Sequence, residues 1–460
     1  SSVSTDTSGP SLSSRPTSGV QSRRCPLSRC TSTTTGGDFD IYNTPGTSTN
    51  QGFIATAASS ASPNDNLYVV GDFGSPFNFT ITNAGLIGQG SNLTGLSAFI
   101  AAGTGLTWNG SVSTDWGTAA NWTPAIVPGP ANNVTIPGGT PFQPTIDQPQ
   151  QTNAFTLNSG ATLTLPSGGY LVVGGDFTNN GTFSSSGTGT VVMNLNVNQT
   201  IGGSSATTFQ NLIIGTGNTT LATSASLAGP ASVRGLLTLV GNLNVSGQSF
   251  TLLSDASGTA MVYNVNTGAV NGPVTVQRYI EPSLNGGPGY RHYTAPVSGS
   301  TIADLNTAGF APVLNPAYNS AAQPGLVTPF PNVFSYNQSR VGTITSDYNF
   351  FDQGWQSPTS TGEALNVTQG YTVNINASAK VDFVGPLNNG PYTASGLGRG
   401  ANGAAGWHLR GNPYPAPLDW QLIINNGGLT NIDPALYVYK SSGQYTGSFA
   451  SYINGMGTNG

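Results

Sequence analysis

The chain has 460 residues, only 6% of them charged, and its formal net charge of −5 is not gathered into acidic runs. An ordinary soluble domain carries roughly a quarter charged residues, so solvation here must come from hydroxyls and amides. No Lys or Arg stands between Cys30 and Arg234, which removes the electrostatic footprint that nucleic acid or an anionic membrane needs, and no apolar run reaches the roughly 18 residues of a membrane-spanning helix.

Gly accounts for 63 residues. With abundant Ser, Thr and Asn it favours short strands and tight turns, and no amphipathic helical window of convincing length is present. The predicted class is all-β, with a β-solenoid or extended β-stack in the middle and a β-sandwich-like domain after it.

Residues 1–36 are Ser/Thr-rich, hold Arg15, Arg23, Arg24 and Arg29, and lack apolar periodicity. They read as a tail or linker, with a basic docking arm as the alternative. The start SSVSTDTSGPSLSS has no apolar core, so either a signal peptide has been cleaved or the chain is a fragment. Cys25 and Cys30 have no His or further Cys with which to build a zinc site. A small local disulfide is expected, with two free thiols as the alternative. Residues 37–106 alternate turn-rich with apolar pieces such as NLYVVGDF and LSAFIAAG, strands of a first β segment or leading coils of the solenoid. Asp38, Asp40 and Asn43 lack the glycine and further oxygens of a calcium loop and read as polar turn residues.

Residues 107–150 concentrate Trp108, Trp116 and Trp122 with prolines at 124, 128, 130, 137, 141 and 144. Such a segment cannot continue a helix or a central strand. It is predicted to cap the stack with buried indoles; indoles exposed for stacking on sugar rings are the alternative.

From 151 to 270 come short alternating runs, among them Leu163 and Leu165, Leu171 and Val173, Val191 and Met193, Leu212 and Ile214, Leu237 and Leu239. They are bounded by Gly or Asn-Gly, which supply positive φ at turns. At six-residue steps Leu221, Leu227, Val233, Leu239 and Val245 are all aliphatic, and Leu171, Phe177 and Phe183 make a shorter series. No single unit can bury its apolar face, so the units must stack, with these positions pointing into one continuous core.

From 271 to 460 aromatics return, which marks a further domain with its boundary near Asn271-Gly272-Pro273. Pro413, Pro415 and Pro417 hold GNPYPAPLDW extended, fit only for an edge or crossover. Trp407 and Trp420, which flank it, are expected to pack on the core, with a ligand groove as the alternative. A β-stack leaves unpaired groups at its ends. The proline-rich segment covers one, so the other must meet the domain after Val274 or a second copy of the chain.

Several stretches resemble the large secreted and cell-surface proteins of the Bacteroidota that the type IX secretion system exports. They are WNGSVSTDWGTAANW (108–122), GGDFTNNGTF (174–183), QTIGG (199–203) with TTFQNLII (207–214), GLLTLVGNLNV (235–245), VQRYI (276–280), YRHYTAPVSG (290–299) and GWHLRGNPYPAPLDW (406–420). This resemblance implies an extracellular, adhesin-like protein with a β-solenoid and a following β-domain. The C-terminal sorting domain usual in that family has no counterpart in the sequence.

Catalytic signals are sparse. His292 and His408 stand far apart in aromatic strings, with no GxSxG elbow or HExxH beside them, and both read as structural. Glu281 and Glu363 are the only glutamates, whereas a glycosidase needs two carboxylates across a cleft. Asp347, Asp352 and Glu363 lie near Tyr348, Phe350, Phe351 and Trp355 in sequence, and Tyr348, Phe351 and Trp355 are the candidate sugar contacts. No cofactor or metal motif is found. The expected function is an extracellular structural or adhesive surface protein, not an enzyme, that associates with itself or other surface proteins in a layer or fibre and takes glycans as further candidate partners. The alternatives are a carbohydrate-active enzyme or binding module on a β-helix and, third, a threonine-rich ice- or crystal-binding face, against which the irregular Thr spacing counts.

Overall fold

A computed structural model of the chain describes residues 105–460 apart from 195–196, 216–223, 246, 266, 454 and 459–460. Before residue 105 it describes only short strand backbones, among them Asp38–Tyr42 and Leu67–Val70, which pair in parallel. Cys25, Asn43 and Leu221 lie outside the described residues, as do the side chains of Cys30, Asp38 and Asp40. Ser1–Ala102 and Gly103–Gly460 are two compact units, and the second, described here, is nearly all β with a β-solenoid of about six turns.

The apolar positions show how the coil is built. Leu227 lies in strand Ser224–Leu227 of the first sheet, Val233 in Ala231–Val233 of the second and Leu239 in Leu236–Leu239 of the third. Val245 then follows Asn242–Asn244, back on the first sheet beside Ser224–Leu227. All four side chains are buried in one core. The six-residue step is therefore one side of a three-sided prism. Residues stacked above one another are farther apart, as in the side-chain pairs Asn133–Asn153, Thr208–Ser232 and Asn244–Asn271, separated by 20, 24 and 27 residues. Corner loops of unequal length hide the repeat from any fixed sequence period.

The first sheet has nine strands and the third has six, from Pro149–Thr152 to Met261–Asn264; every neighbouring pair within the coils is parallel. Inside, Phe155 stacks on Phe177 at 4.9 Å, and Phe177 and Phe183 each approach Phe209 at 5.6 Å. Each such buried ring is worth about 1.5–3 kcal/mol relative to exposure. Outside, Thr107, Thr135, Thr156 and Thr178 form a row on the first sheet. Thr208, Ser232, Thr251 and Thr275 do so on the second. The third sheet differs, with Val172, Val192, Ile213, Thr238 and Tyr263 in its outward row.

The chain meets both ends of its own solenoid. At the first, Trp122–Thr123 adds antiparallel to Gly105–Trp108 and forms the edge of the first sheet. Trp108, Trp116 and Trp122 are buried in the core cluster, edge to face at 5.0 and 4.6 Å, with Trp122 Nε1 donating to Trp116 O at 2.8 Å. At the other end Pro273–Tyr279, the last strand of the second sheet, is covered antiparallel by Lys380–Pro386. The amide of Val262, in the last strand of the third sheet, donates to Pro415 O at 3.0 Å. Of the two candidates for this second end, the chain's own later residues take it. The composition change at Asn271–Pro273 falls inside this final coil, because Val270–Asn271 still pairs with Asn242–Asn244.

Beyond the solenoid lie a four-stranded antiparallel sheet, ordered Pro288–Tyr293, Tyr371–Asn376, Val333–Tyr336 and Trp355–Gln356, and a three-stranded one, Ala435–Ser441, Gly447–Ile453 and Met456–Thr458. The proline-spaced segment ends where Asp419 caps the short α-helix Trp420–Asn425, its carboxylate accepting from Leu422 N at 2.9 Å. The expectation that Trp407 packs on the core is corrected, since its side chain is 46% exposed. Gly406, at φ +100°, takes a left-handed turn immediately before it. Trp420 is half-buried.

Candidate binding surface

Strand Val333–Tyr336 ends on Tyr336, and its neighbour Trp355–Gln356 begins on Trp355; their register sets the two rings side by side, centroids 4.9 Å apart. Between them in sequence, Phe351 precedes the single 3-10 turn Asp352–Gly354 and lies 5.2 Å from Tyr336. Tyr336 donates its hydroxyl to Phe351 O at 3.0 Å. Trp407 lies 6.3 Å from Phe351, and Tyr437, from the three-stranded sheet, lies 5.3 Å from Trp407. Five rings from separate stretches thus form a continuous ribbon. Trp355 and Tyr336 are half-buried beneath it, whereas Phe351, Trp407 and Tyr437 are 37%, 46% and 40% exposed.

The backbone is shaped around these rings. A Cβ on Gly354 would fall 2.3 Å from the Tyr336 ring, so only glycine lets the turn lie on it. Asn349 holds the turn, accepting from Asp352 N at 2.9 Å and donating Nδ2 to Asp352 Oδ2 at 2.5 Å. Arg340 ties the same loop down, donating Nη2 to Asn319 O at 2.7 Å and Nε to Gln353 O at 3.2 Å. Burial, with the Asp352 charge adding to it, pushes the Tyr336 phenol up to about 12.

Of the candidate sugar contacts, Phe351 and Trp355 come together in this ribbon. Tyr348 does not join it directly: its ring lies 6.3 Å from Tyr318, which in turn packs against Phe330 and Phe334. Tyr336, Trp407 and Tyr437 were not legible as members, because their strings are remote: strand pairing brings Tyr336 beside Trp355, whereas Trp407 and Tyr437 join only through ring contacts between separate segments. The three acids do not converge. Asp352 is engaged by Asn349, and the Asp347 amide donates to Ala322 O. Glu363 accepts from Thr359 N at 3.0 Å, with Ile302 N donating to its carbonyl. His292 stacks on Tyr439 with ring centroids 5.6 Å apart, and His408 Nε2 is 2.9 Å from Gly398 O. Among the described residues no group of three or more His, Cys, Asp or Glu is placed to hold a metal ion, and no helix is long and apolar enough to cross a membrane.

Residues 107–212 match the family model described as a domain of unknown function (DUF8693). The match covers the tryptophan segment and the coils as far as strand Asn211–Ile214. Comparison with curated proteins and with solved structures found no match.

Proposed function

We propose that the protein is an extracellular structural or adhesive surface protein, a solenoid that carries a β-rich region for contact with its surroundings, and that it performs no hydrolysis. The observation that supports this best is the aromatic ribbon, which leaves Phe351, Trp407 and Tyr437 at the surface of a chain with 6% charged residues. Solvent-exposed aromatic surface of this kind is characteristic of contact sites, whereas the carboxylates of Asp352 and Glu363 are each engaged by a neighbour within their own turn, which is not the facing pair that glycoside hydrolysis requires. Secretion by the type IX route and a disulfide between Cys25 and Cys30 belong to the same proposal and are supported by the resemblance and by the cysteine spacing.

The carbohydrate-binding alternative gains from the same ribbon as a property of the adhesive protein. The crystal-binding reading gains less: the threonines do align in space despite their irregular sequence spacing, but the first row breaks where Thr178 meets Gly202. Assembly in a layer or fibre stays part of the proposal; because Trp122–Thr123 and Lys380–Pro386 lie along the two solenoid ends, association with further copies would use the sides.

The test pairs an adhesion assay of the immobilised chain on cell surfaces and glycan-coated beads with a reducing-sugar release assay. Retention without sugar release is expected. Turnover that disappears when Asp347 and Asp352 become Asn and Glu363 becomes Gln, in a chain whose circular dichroism is unchanged, would replace this reading with an enzymatic one.

A further inference from the structure

We infer that Phe351, Trp407 and Tyr437, backed by Tyr336 and Trp355, form a binding site for an uncharged polysaccharide chain. This rests on the adhesive reading and assigns its contact surface. The ribbon is aromatic throughout, and its Tyr and Trp rings combine an apolar face with a polar O–H or N–H at the edge, while Phe351 adds apolar face alone. That combination suits a ligand with C–H faces and hydroxyl edges, which is the chemistry of a pyranose. Both indoles stand nearly perpendicular to the Phe351 ring, Trp355 at 84° and Trp407 at 83°, so the exposed rings are held at fixed angles by their neighbours. Preorganisation of this kind lowers the ordering cost of binding. Gly354 beneath Tyr336 and the left-handed Gly406 before Trp407 are the backbone features that permit it.

Charge narrows the ligand class. The Arg340 guanidinium donates to two backbone carbonyls and Asp352 Oδ2 accepts from Asn349, so both charged groups are committed to holding the loop beneath the rings. Arg399, whose Cγ would lie 3.0 Å from a Cβ at position 406, is a cation at the rim, and it makes an acidic polysaccharide the comparison that the experiment must contain.

The experiment is affinity electrophoresis of the full chain in native gels containing galactomannan, hydroxyethyl cellulose or dextran, and alginate as the acidic polymer, with tryptophan fluorescence titrations alongside. At least one uncharged polymer should retard the chain and change its fluorescence. Trp407→Ala and Tyr437→Ala should each weaken that binding roughly tenfold, Trp407→Phe should keep part of it, and Tyr445→Ala, at an exposed ring outside the ribbon, should leave it unchanged. The replaced rings are exposed, so melting should be unaltered; if an Ala variant fails to fold, Trp407→Phe carries the comparison. Retardation by none of the uncharged polymers overturns the inference. So does retardation by alginate alone that Arg399→Gln abolishes, or a Trp407→Ala effect on self-association in sedimentation with polysaccharide binding untouched, which would make the ribbon a protein interface. Adhesion of the Trp407→Ala chain at wild-type strength would remove the ribbon site while leaving the adhesive reading in place.

Discussion

Neighbouring residues on one strand can have opposite fates, and Ser232 and Val233 are a direct example. Val233 is fully buried, whereas Ser232 faces outward and shares a 3.0 Å hydroxyl contact with Thr208. Val233→Asp removes burial worth about 1.5–3 kcal/mol and places a charge in the core, so its melting transition should fall steeply, while Ser232→Asp should cost under about 1 kcal/mol. Thermal denaturation followed by circular dichroism decides it, and equal tolerance would mean that the register is wrong. Tyr336 offers a second test. Its folded phenol titrates at about 12, above the ordinary value near 10, so the folded state favours the neutral form. The stability this contributes is fully present below pH 10 and is lost as pH rises towards 12. The loss of helicity-independent β signal in that window should be shallower in Tyr336→Phe than in the wild type, and identical alkaline profiles would refute the assignment.

At the scale of the element, the tryptophan segment closes one end of the coil stack and the strand Lys380–Pro386 lies along the other. Solenoids are held together mainly by neighbour-to-neighbour interfaces, so damage at one end should stay local. Trp122→Ala should destabilise that end by about 3–5 kcal/mol. In hydrogen exchange, amides of Asn133–Ile136 should lose protection while those of Pro273–Tyr279 keep theirs; uniform loss would indicate a single cooperative unit. The 3-10 turn Asp352–Gly354 is a comparable case in the aromatic region. Gly354→Ala meets the Tyr336 ring and should cost about 1–3 kcal/mol through forced displacement, with a shift in tryptophan emission as Trp355 moves; an unchanged spectrum and melting point would show that the ring gives way freely.

At the scale of the whole molecule, the expectation of a layer or fibre rested on an unguarded solenoid end. The chain lies against both ends, so dilution series in light scattering and negative-stain images should show no end-to-end growth with concentration. Filaments whose repeat matches one molecule stacked axially on the next would contradict the closure described.

The all-β class, the stacking of short apolar runs and the burial of Leu227, Val233, Leu239 and Val245 were determined by the sequence alone, because alternation within a strand and glycine at turns are local properties. The meaning of the six-residue step was not, since one side of a prism and one rung of a column look the same along the chain. The burial of Trp108, Trp116 and Trp122 was expected and is found, but only the tertiary structure decided that the prism has three sides, that Trp407 is exposed, and that Phe351 and Trp355 are joined by Tyr336, Trp407 and Tyr437. The physical reason is common to all of these. Burial of an aromatic ring depends on what other segments bring to it, and the pairing of remote strands, here Val333–Tyr336 with Trp355–Gln356, is a property of the folded chain that no local pattern encodes.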